Sequence, residues 1–532
     1  MTVGEALRSR VEAWVAHDPD PVTAQEALAL LAAGDAAALV DRFDTRLQFG
    51  TAGLRGALGA GPNRMNRLIV RQAAAGLADY LVAHDAAARE RGVVIGFDAR
   101  HGSEDFAWDT ARVLAARGVP SMMLPARQPT PLLAWCVTSL GASAGVMVTA
   151  SHNPPQDNGY KVYLGDGAQI VPPADTEISR CIDAVGLDVA LLGMDSPLIA
   201  RLDAAIIDRY LDDAARVRLS PHTPGAVVVA TALHGVGGEL LGRAFERAGF
   251  ARPEVVAAQQ DPDADFPTVA FPNPEEPGAM DAVMQLAADR GAALALANDP
   301  DADRLGAAIP TKRGSWRRLN GDEIGWLLAE HILSRTSGSD RLVATTLVSS
   351  SLLARMANAA GVQHRETFTG FKWIARTVLD HPSLRFVFGY EQALGYLVAP
   401  RPLDKDGITA ALMLAEVAAC AVSEGETVED RLDAIRAKYG NLVTAERSIR
   451  MAPADAAARV AALVASPPTH LDGLAVVSVE EFREAGLVRL WCDGVRLQVR
   501  PSGTEPKVKL YGEAEDRDPA PLLDALAGFL RT

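Results

Sequence analysis

Three carboxylates stand at i, i+2 and i+4 in Asp299-Pro-Asp301-Ala-Asp303, and Arg304 follows at once. On a loop such a trio can turn inward on one hard cation. Mg²⁺ accepts carboxylate oxygens and keeps positions for a phosphate oxygen. A nucleophile of matching kind lies upstream in Thr149-Ala-Ser151-His152-Asn153-Pro154, and Lys161 follows closely enough to return to that turn as a cation or proton carrier. Two further loops are built for anions. Phe49-Gly-Thr-Ala-Gly-Leu-Arg55-Gly56 has glycines dense enough for a close backbone approach, with an arginine at its tip. Arg500-Pro-Ser502-Gly503-Thr504-Glu-Pro-Lys507 joins backbone amides, two hydroxyls, a forked arginine and a nearby lysine, which together make a phosphate cradle. Each motif has a plain reading when taken alone: a capping serine, a solvated acidic turn, a Gly turn with a surface arginine.

The elements that must position these groups read as α/β. The apolar run Gly145–Thr149 is a buried strand that ends in the serine turn. A strand at 93–98, a helix at 105–117, a strand at 121–124 and a helix at 130–140 precede it, and this alternation marks a parallel layer. A helix at 202–217 leads to a second unit, with a strand at 226–230 and the acidic loop after a strand at 292–297. In a third, Thr369-Gly370-Phe371-Lys372 places a lysine on a Gly turn before a helix. Arg385–Gly389 is a strand opening into Tyr390-Glu391-Gln392-Ala393-Leu394-Gly395-Tyr396. Glutamate there would accept sugar hydroxyls while tyrosine covers the ring face, unless the loop is only a strand edge. Lys405 precedes a long apolar helix at 408–422, and a smaller α+β tail follows Lys438. Residues before 45 have helical spacing and read as packing.

Two motifs are set aside. Gly141-Ala-Ser143-Ala-Gly145 has the letters of a nucleophile elbow, but that motif needs a strand before it and a helix after it. Here the order is reversed, so Ser143 reads as a connector. Asp261-Pro-Asp-Ala-Asp265 repeats the acidic pentapeptide but runs into a Pro-rich loop, not out of a strand. His234, in a Gly-rich turn, reads as structural.

At 532 residues and 48% hydrophobic the chain has material for several domains. A net charge of −15 argues against nucleic-acid or anionic-membrane partners. Four cysteines without metal or disulfide spacing, no signal-like start and no membrane-length apolar run point to the cytoplasm.

As an ordered set from Phe49 to Tyr511, these blocks resemble the α-D-phosphohexomutases, the phosphoglucomutase/phosphomannomutase superfamily. The resemblance implies three related mixed α/β domains and a C-terminal α+β domain around a central cleft. The expected limits are 1–205 with a helical extension and the serine loop, 206–312 with the metal loop, 313–432 with the sugar loop and 433–532 with the phosphate loop. It makes Ser151 the phosphoryl carrier, with Arg55, His152 and Lys161 beside it in catalysis. Asp299, Asp301 and Asp303, with Ser151, become the Mg²⁺ site. Arg304, Thr369, Lys372, Glu391, Ala393, Tyr396 and Lys405 would bind substrate, and Arg500, Ser502, Gly503 and Thr504 the non-transferring phosphate. Ala393 stands where many members have serine, and Tyr396 near where some have histidine. With Thr369-Gly-Phe-Lys-Trp373, this resembles the branch of phosphopentomutases and glucose-1,6-bisphosphate synthases.

The expected activity moves phosphate between C1 and C6 of glucose or mannose through phosphoserine and a bisphosphate. Pentose transfer between C1 and C5 is the alternative, and a phosphoserine-dependent sugar phosphatase a third. Glucose 1,6-bisphosphate would serve as activator, sugar phosphates as the small-molecule partners, and the chain would be a monomer or homodimer. Lys161 is expected to be the general base, its pKa lowered by burial and Arg55.

Overall fold

The serine strand spans Ala144–Val148, and all five of its residues are buried. A strand with no polar side belongs inside a parallel sheet, and a computed structural model of residues 3–50, 53–220, 226–502 and 507–531 puts it there. The sheet order is Leu54–Ala57, Asp157–Leu164, Ala144–Val148, Val93–Phe97, Ser121–Met123 and Ile199–Arg201. The last four run parallel. Asp157–Leu164 returns antiparallel and sets Lys161 opposite Met147, while Leu54–Ala57 sets Arg55 opposite Gly159. A cation and a second cation are thereby fixed beside the serine turn by sheet register.

Three N-terminal helices, Glu5–Val15, Pro21–Ala33 and Ala36–Phe43, add Leu7, Val11, Trp14, Leu39 and Phe43 to the core of this sheet. Asp20 and Asp35 cap the second and third by accepting from Val22 N and Ala38 N. Packing, as the spacing suggests, is what they contribute.

A second sheet has the order Trp316–Arg318, Gly306–Pro310, Leu294–Ala297, Val228–Thr231 and Glu254–Val255. Leu294–Ala297 is buried throughout and delivers the acidic loop at its end. The helix Gly407–Ser423 is apolar on every side and buried over nearly its whole length. Asp406 caps it, accepting from Ile408 N and Thr409 N, and also takes the Tyr210 hydroxyl hydrogen bond. No single helix among the described residues is long and apolar enough to cross a membrane. These elements form one compact unit, Met1–Asn320 with Val378–Asp380 and Leu394–Val428.

The other unit comprises Gly321–Thr377, His381–Ala393 and Glu429–Thr532. In it Gln363–Thr367, Arg341–Thr346 and Arg385–Glu391 lie side by side in parallel. An antiparallel sheet follows, in the order Leu442–Arg450, Lys507–Glu515, Val495–Pro501, Leu487–Cys492, Leu474–Phe482 and His470–Leu471. Leu490, Leu497, Leu510, Leu523 and Leu526 fill its core. Ser502 thus follows the first of two paired strands, with Arg500 opposite Lys509 and Pro501 opposite Val508.

The expected strands and helices are present with ends shifted by one to three residues. The helix placed at 202–217 spans Ala205–Ala215, and its predecessor Ile199–Arg201 is an edge strand too short to carry a pattern. Ser143 connects the helix Thr130–Ser139 to the serine strand. All four cysteines are free.

Candidate active site

Ser151 is a strained residue, with φ +54° in the left-handed region, and is only 3% exposed. That conformation costs a non-glycine residue about 1 kcal/mol or more and persists only where neighbours over-determine it. The neighbours are identifiable. Ser151 N donates to Thr149 Oγ1 at 2.9 Å, and Thr149 Oγ1 donates to Asp98 Oδ2 at 2.6 Å. Arg100 donates to the carbonyls of Ser151 at 2.6 Å, Pro154 at 2.8 Å and Asp157 at 3.1 Å, and also to that of Asn153. Asp98 balances its charge at 3.4 Å. So fixed, the serine hydroxyl donates to Asp299 Oδ2 at 2.7 Å, joining the serine turn to the acidic loop.

Asp299 and Asp301 are fully buried, Asp303 nearly so, and one oxygen from each lies within 4.8 Å of the others. Ala302, at φ +54°, makes the bend that turns all three inward, and Asn298 Nδ2 closes the loop on Arg304 O at 2.7 Å. Gly235 and Gly407 approach this backbone so closely that a side chain at either would collide with Pro300 or with the Arg304 carbonyl. Burial, then Asp301 and Asp303, push the Asp299 pKa well above the ordinary carboxylate range. Burial opposes ionisation of the other two as well. Lys161 and Thr130 outweigh it at Asp301, and Lys161, Lys405 and Arg304 at Asp303, so both are held low. Asp301 Oδ1 and Asp303 Oδ1 are buried and accept no hydrogen bond from the described residues. A buried carboxylate oxygen left without a donor is costly. A hard divalent cation would satisfy both, so this donor set fits Mg²⁺.

Lys161 Nζ donates to Asp301 Oδ2 at 2.7 Å and Asp303 Oδ2 at 2.8 Å. Burial favours the neutral amine, but the two carboxylates win and raise its pKa. The expectation of a lowered lysine pKa is corrected: burial and Lys405, not Arg55, oppose the ammonium, and the acidic pair to which Lys161 is bound outweighs them. Lys405 Nζ lies 3.1 Å from Asp303 Oδ2, and Asp404 next to it accepts from Tyr163 and Gln169. Arg55 donates to Asn153 Oδ1 at 3.3 Å, its pKa lowered chiefly by burial. Arg304 N donates to Asp299 Oδ1, and its guanidinium reaches Glu275 at 3.3 Å. His152 Nδ1 lies 3.2 Å from Ser151 Oγ. Burial, then Arg304 and Arg55, hold its pKa well below the usual value, so the imidazole is neutral. Ser151, His152, Lys161, Arg55, the three aspartates, Arg304 and Lys405 therefore form one constellation.

The remaining candidates are placed differently. Thr369 and Lys372 are half-buried at the start of the helix Phe371–Asp380, whose N-cap is Gly370. Glu391 ends a strand and is mostly buried, and Ala393 follows in its turn. Tyr390 and Tyr396 are fully buried, and Tyr390 donates its hydroxyl to Asp322. The expected aromatic cover over a sugar ring is corrected: both strands are buried on both faces, and the two rings lie in the core. Arg500 and Ser502 are half-buried, and Ser502 N donates to Lys507 O at 2.8 Å. Gly503 and Thr504 lie outside the described residues.

Sequence reasoning missed Asp98, Arg100 and Thr130. Thr130 Oγ1 donates to Asp301 Oδ2 at 2.6 Å, and Thr130 N to Asp301 O at 3.0 Å. The strand-end position of Asp98-Ala-Arg100 was a usable signal; a threonine opening a helix was not. His234, as expected, is structural: its backbone N donates to Gln259 O, and Val236 N to Pro300 O on the acidic loop.

Four family models match in sequence along the chain. They are phosphoglucomutase/phosphomannomutase alpha/beta/alpha domain I over residues 46–187, domain II over 208–313, domain III over 320–439 and the C-terminal domain over 420–523. The chain belongs to the phosphoglucomutase/phosphomannomutase family. It is a phosphosugar mutase of that family, an isomerase working as an intramolecular phosphotransferase. A "probable phosphomannomutase" of Haemophilus influenzae is 41% identical over 87% of this chain and 96% of its own length. The phosphopentomutase of Mus musculus is 37% identical over 81% of this chain and 74% of its own. The fold is also that of a phosphoglucomutase/phosphomannomutase family protein from Burkholderia thailandensis, with TM-score 0.71 and 21% identity over 92% of this chain and 97% of that one.

Proposed function

We propose that Ser151 carries a phosphoryl group and exchanges it with a hexose phosphate, moving phosphate between C1 and C6 of glucose or mannose. One observation carries this reading: the Ser151 hydroxyl is held 2.7 Å from Asp299, at a buried carboxylate trio with two oxygens lacking donors. In the first half-reaction the bond from phosphorus to Ser151 Oγ breaks as phosphorus bonds the free sugar hydroxyl, whose proton passes to the departing Ser151 Oγ, giving a bisphosphate and free serine. In the second, the sugar's other phosphate returns to Ser151 as the bond from phosphorus to that sugar oxygen breaks, and the serine proton passes by way of His152, 3.2 Å away, to the departing sugar oxygen. Nothing is hydrolysed and no phosphate is lost.

Mg²⁺ held by Asp299, Asp301, Asp303 and the phosphorylated Ser151 would supply charge stabilisation to the transferring phosphoryl group. Lys161, an ammonium in this arrangement, and Arg304 and Arg55 add fixed positive charge around the same oxygens. Glu391, with Thr369, Lys372 and Lys405, would orient sugar hydroxyls; Arg500, Ser502, Gly503 and Thr504 would hold the phosphate that is not transferring. Glucose 1,6-bisphosphate would prime the serine. Four cysteines outside any disulfide among the described residues fit a reducing cytoplasm.

A pentose is the second reading, supported by the likeness to a phosphopentomutase and by Ala393, which offers no hydroxyl to a sugar. Phosphorus NMR of the enzyme with Mg²⁺, trace hexose bisphosphate and glucose-, mannose- or ribose-1-phosphate decides among these. Formation of a 6-phosphate identifies a hexose and of a 5-phosphate the pentose. Orthophosphate as the sole product would sink the mutase scheme.

A further inference from the structure

The second acidic pentapeptide, Asp261–Asp265, has no part in the reaction above, yet the structure ties it to both halves of the site. Phe266, which follows it, has φ +47° and is 2% exposed. A bulky side chain in that region is a strained exception and needs a reason. Its ring faces the Arg100 guanidinium, 5.0 Å from the centroid. Arg100 is the residue that gathers four carbonyls of the serine loop. An aromatic face closes over a buried guanidinium without competing for its donors and attracts its charge. At its other end the loop reaches the acidic loop: Asp263 N donates to His234 O, and the turn beginning at His234 sends Val236 N to Pro300 O at 2.8 Å. Asp263 Oδ1 accepts from Asp265 N and so fixes the bend between these anchors. His101 beside Arg100 pairs with Asp265 at 2.8 Å, a second tie across the same gap.

We propose that the segment 263–266 registers the serine loop on the acidic loop, with Phe266 and Arg100 as positioning residues for phosphoryl transfer. The repeated pentapeptide is then a brace, not a second metal site. This rests on Ser151 as the phosphoryl carrier. A displacement of about 1 Å between reacting groups can cost on the order of 10²-fold in rate, so a small slip here would be read in kcat.

The test uses the full chain and measures kcat, KM and the rate of Ser151 phosphorylation by hexose bisphosphate, each per folded enzyme. Phe266→Leu is expected to lower kcat and serine phosphorylation together by about tenfold or more, with KM within about twofold. Phe266→Tyr, which keeps the aromatic face, restores most of both rates. Asp261→Asn, at an exposed position making no such tie, leaves them unchanged. A Phe266→Leu enzyme with wild-type rates would overturn the proposal, as would an equal loss in Asp261→Asn. If Phe266→Leu does not fold, Asp263→Ala decides: a fall of about threefold or more in kcat supports the brace, and an unchanged kcat removes it. A wild-type enzyme that never labels on Ser151 would instead refute the phosphoserine reading itself.

Discussion

The two units present their candidate phosphate-handling groups in opposite ways. In the first, every group of the serine–aspartate constellation is buried or clamped, and Ser151, Asp301 and Asp303 each meet partners from distant parts of the chain. In the second, Thr369, Lys372, Arg500 and Ser502 stand half-exposed at the ends of elements. Chemistry needs fixed geometry, whereas recognition needs access, and the two demand different surroundings. Substitutions in the first unit should therefore act on kcat, and in the second on KM.

The sharpest break of that contrast is Ser151→Ala. It removes the phosphoryl acceptor, and turnover should fall by about 10³-fold or more with the fold retained, checked by phosphorus NMR and circular dichroism. Asp299→Asn comes next. Its carboxyl is held well above the ordinary range by burial and by Asp301 and Asp303, so an ionisable group here costs the metal-free protein stability at neutral pH. The amide should raise metal-free stability while lowering kcat by about 10²-fold or more. A stabilised, inactive variant whose melting temperature no longer responds to Mg²⁺ is the expected result. A destabilised one would mean that the trio is structural.

Arg500→Ala should behave differently, raising KM for sugar phosphate by about tenfold with a smaller change in kcat. Equal losses in both constants would erase the distinction between the units.

The same contrast explains what could be read from sequence. Ser151 and the acidic trio were visible because each motif lies in a short contiguous loop at the end of an apolar strand. Arg100, Thr130 and Phe266 were not, because their meaning lies in contacts made across 51, 171 and 166 residues of chain, and no local pattern encodes those. Lys161 was found but its ionisation was misjudged, since the deciding carboxylates are 140 and 142 residues away. Tyr396, placed among the substrate-binding residues by the family resemblance, lies on a strand buried on both faces. The strand–helix alternation around the serine followed from local periodicity, but the sheet order did not, and the strands Leu54–Ala57, Asp157–Leu164, Ile199–Arg201 and Glu254–Val255 were not called from it.

The smallest expected effect concerns a buried acid in the second unit. Asp322, in the first turn of the helix Gly321–Arg335, accepts from Ser350 N at 2.7 Å and from the Tyr390 hydroxyl at 2.9 Å. Burial nevertheless raises its pKa from 3.8 to about 6. Between those values the folded state binds more protons than the unfolded one, so this group's contribution to stability is complete below the unfolded value and is lost as pH rises through the folded one. Above pH 6 the loss reaches about 3 kcal/mol at most, at about 1.4 kcal/mol for each pKa unit. Asp322→Asn keeps the oxygen that accepts both hydrogen bonds and removes the charge. Its melting temperature should exceed the parent's at pH 8, and the gap should narrow as pH falls toward 4. A constant gap across that range would assign the effect to packing, because only an ionising group can make the difference depend on pH.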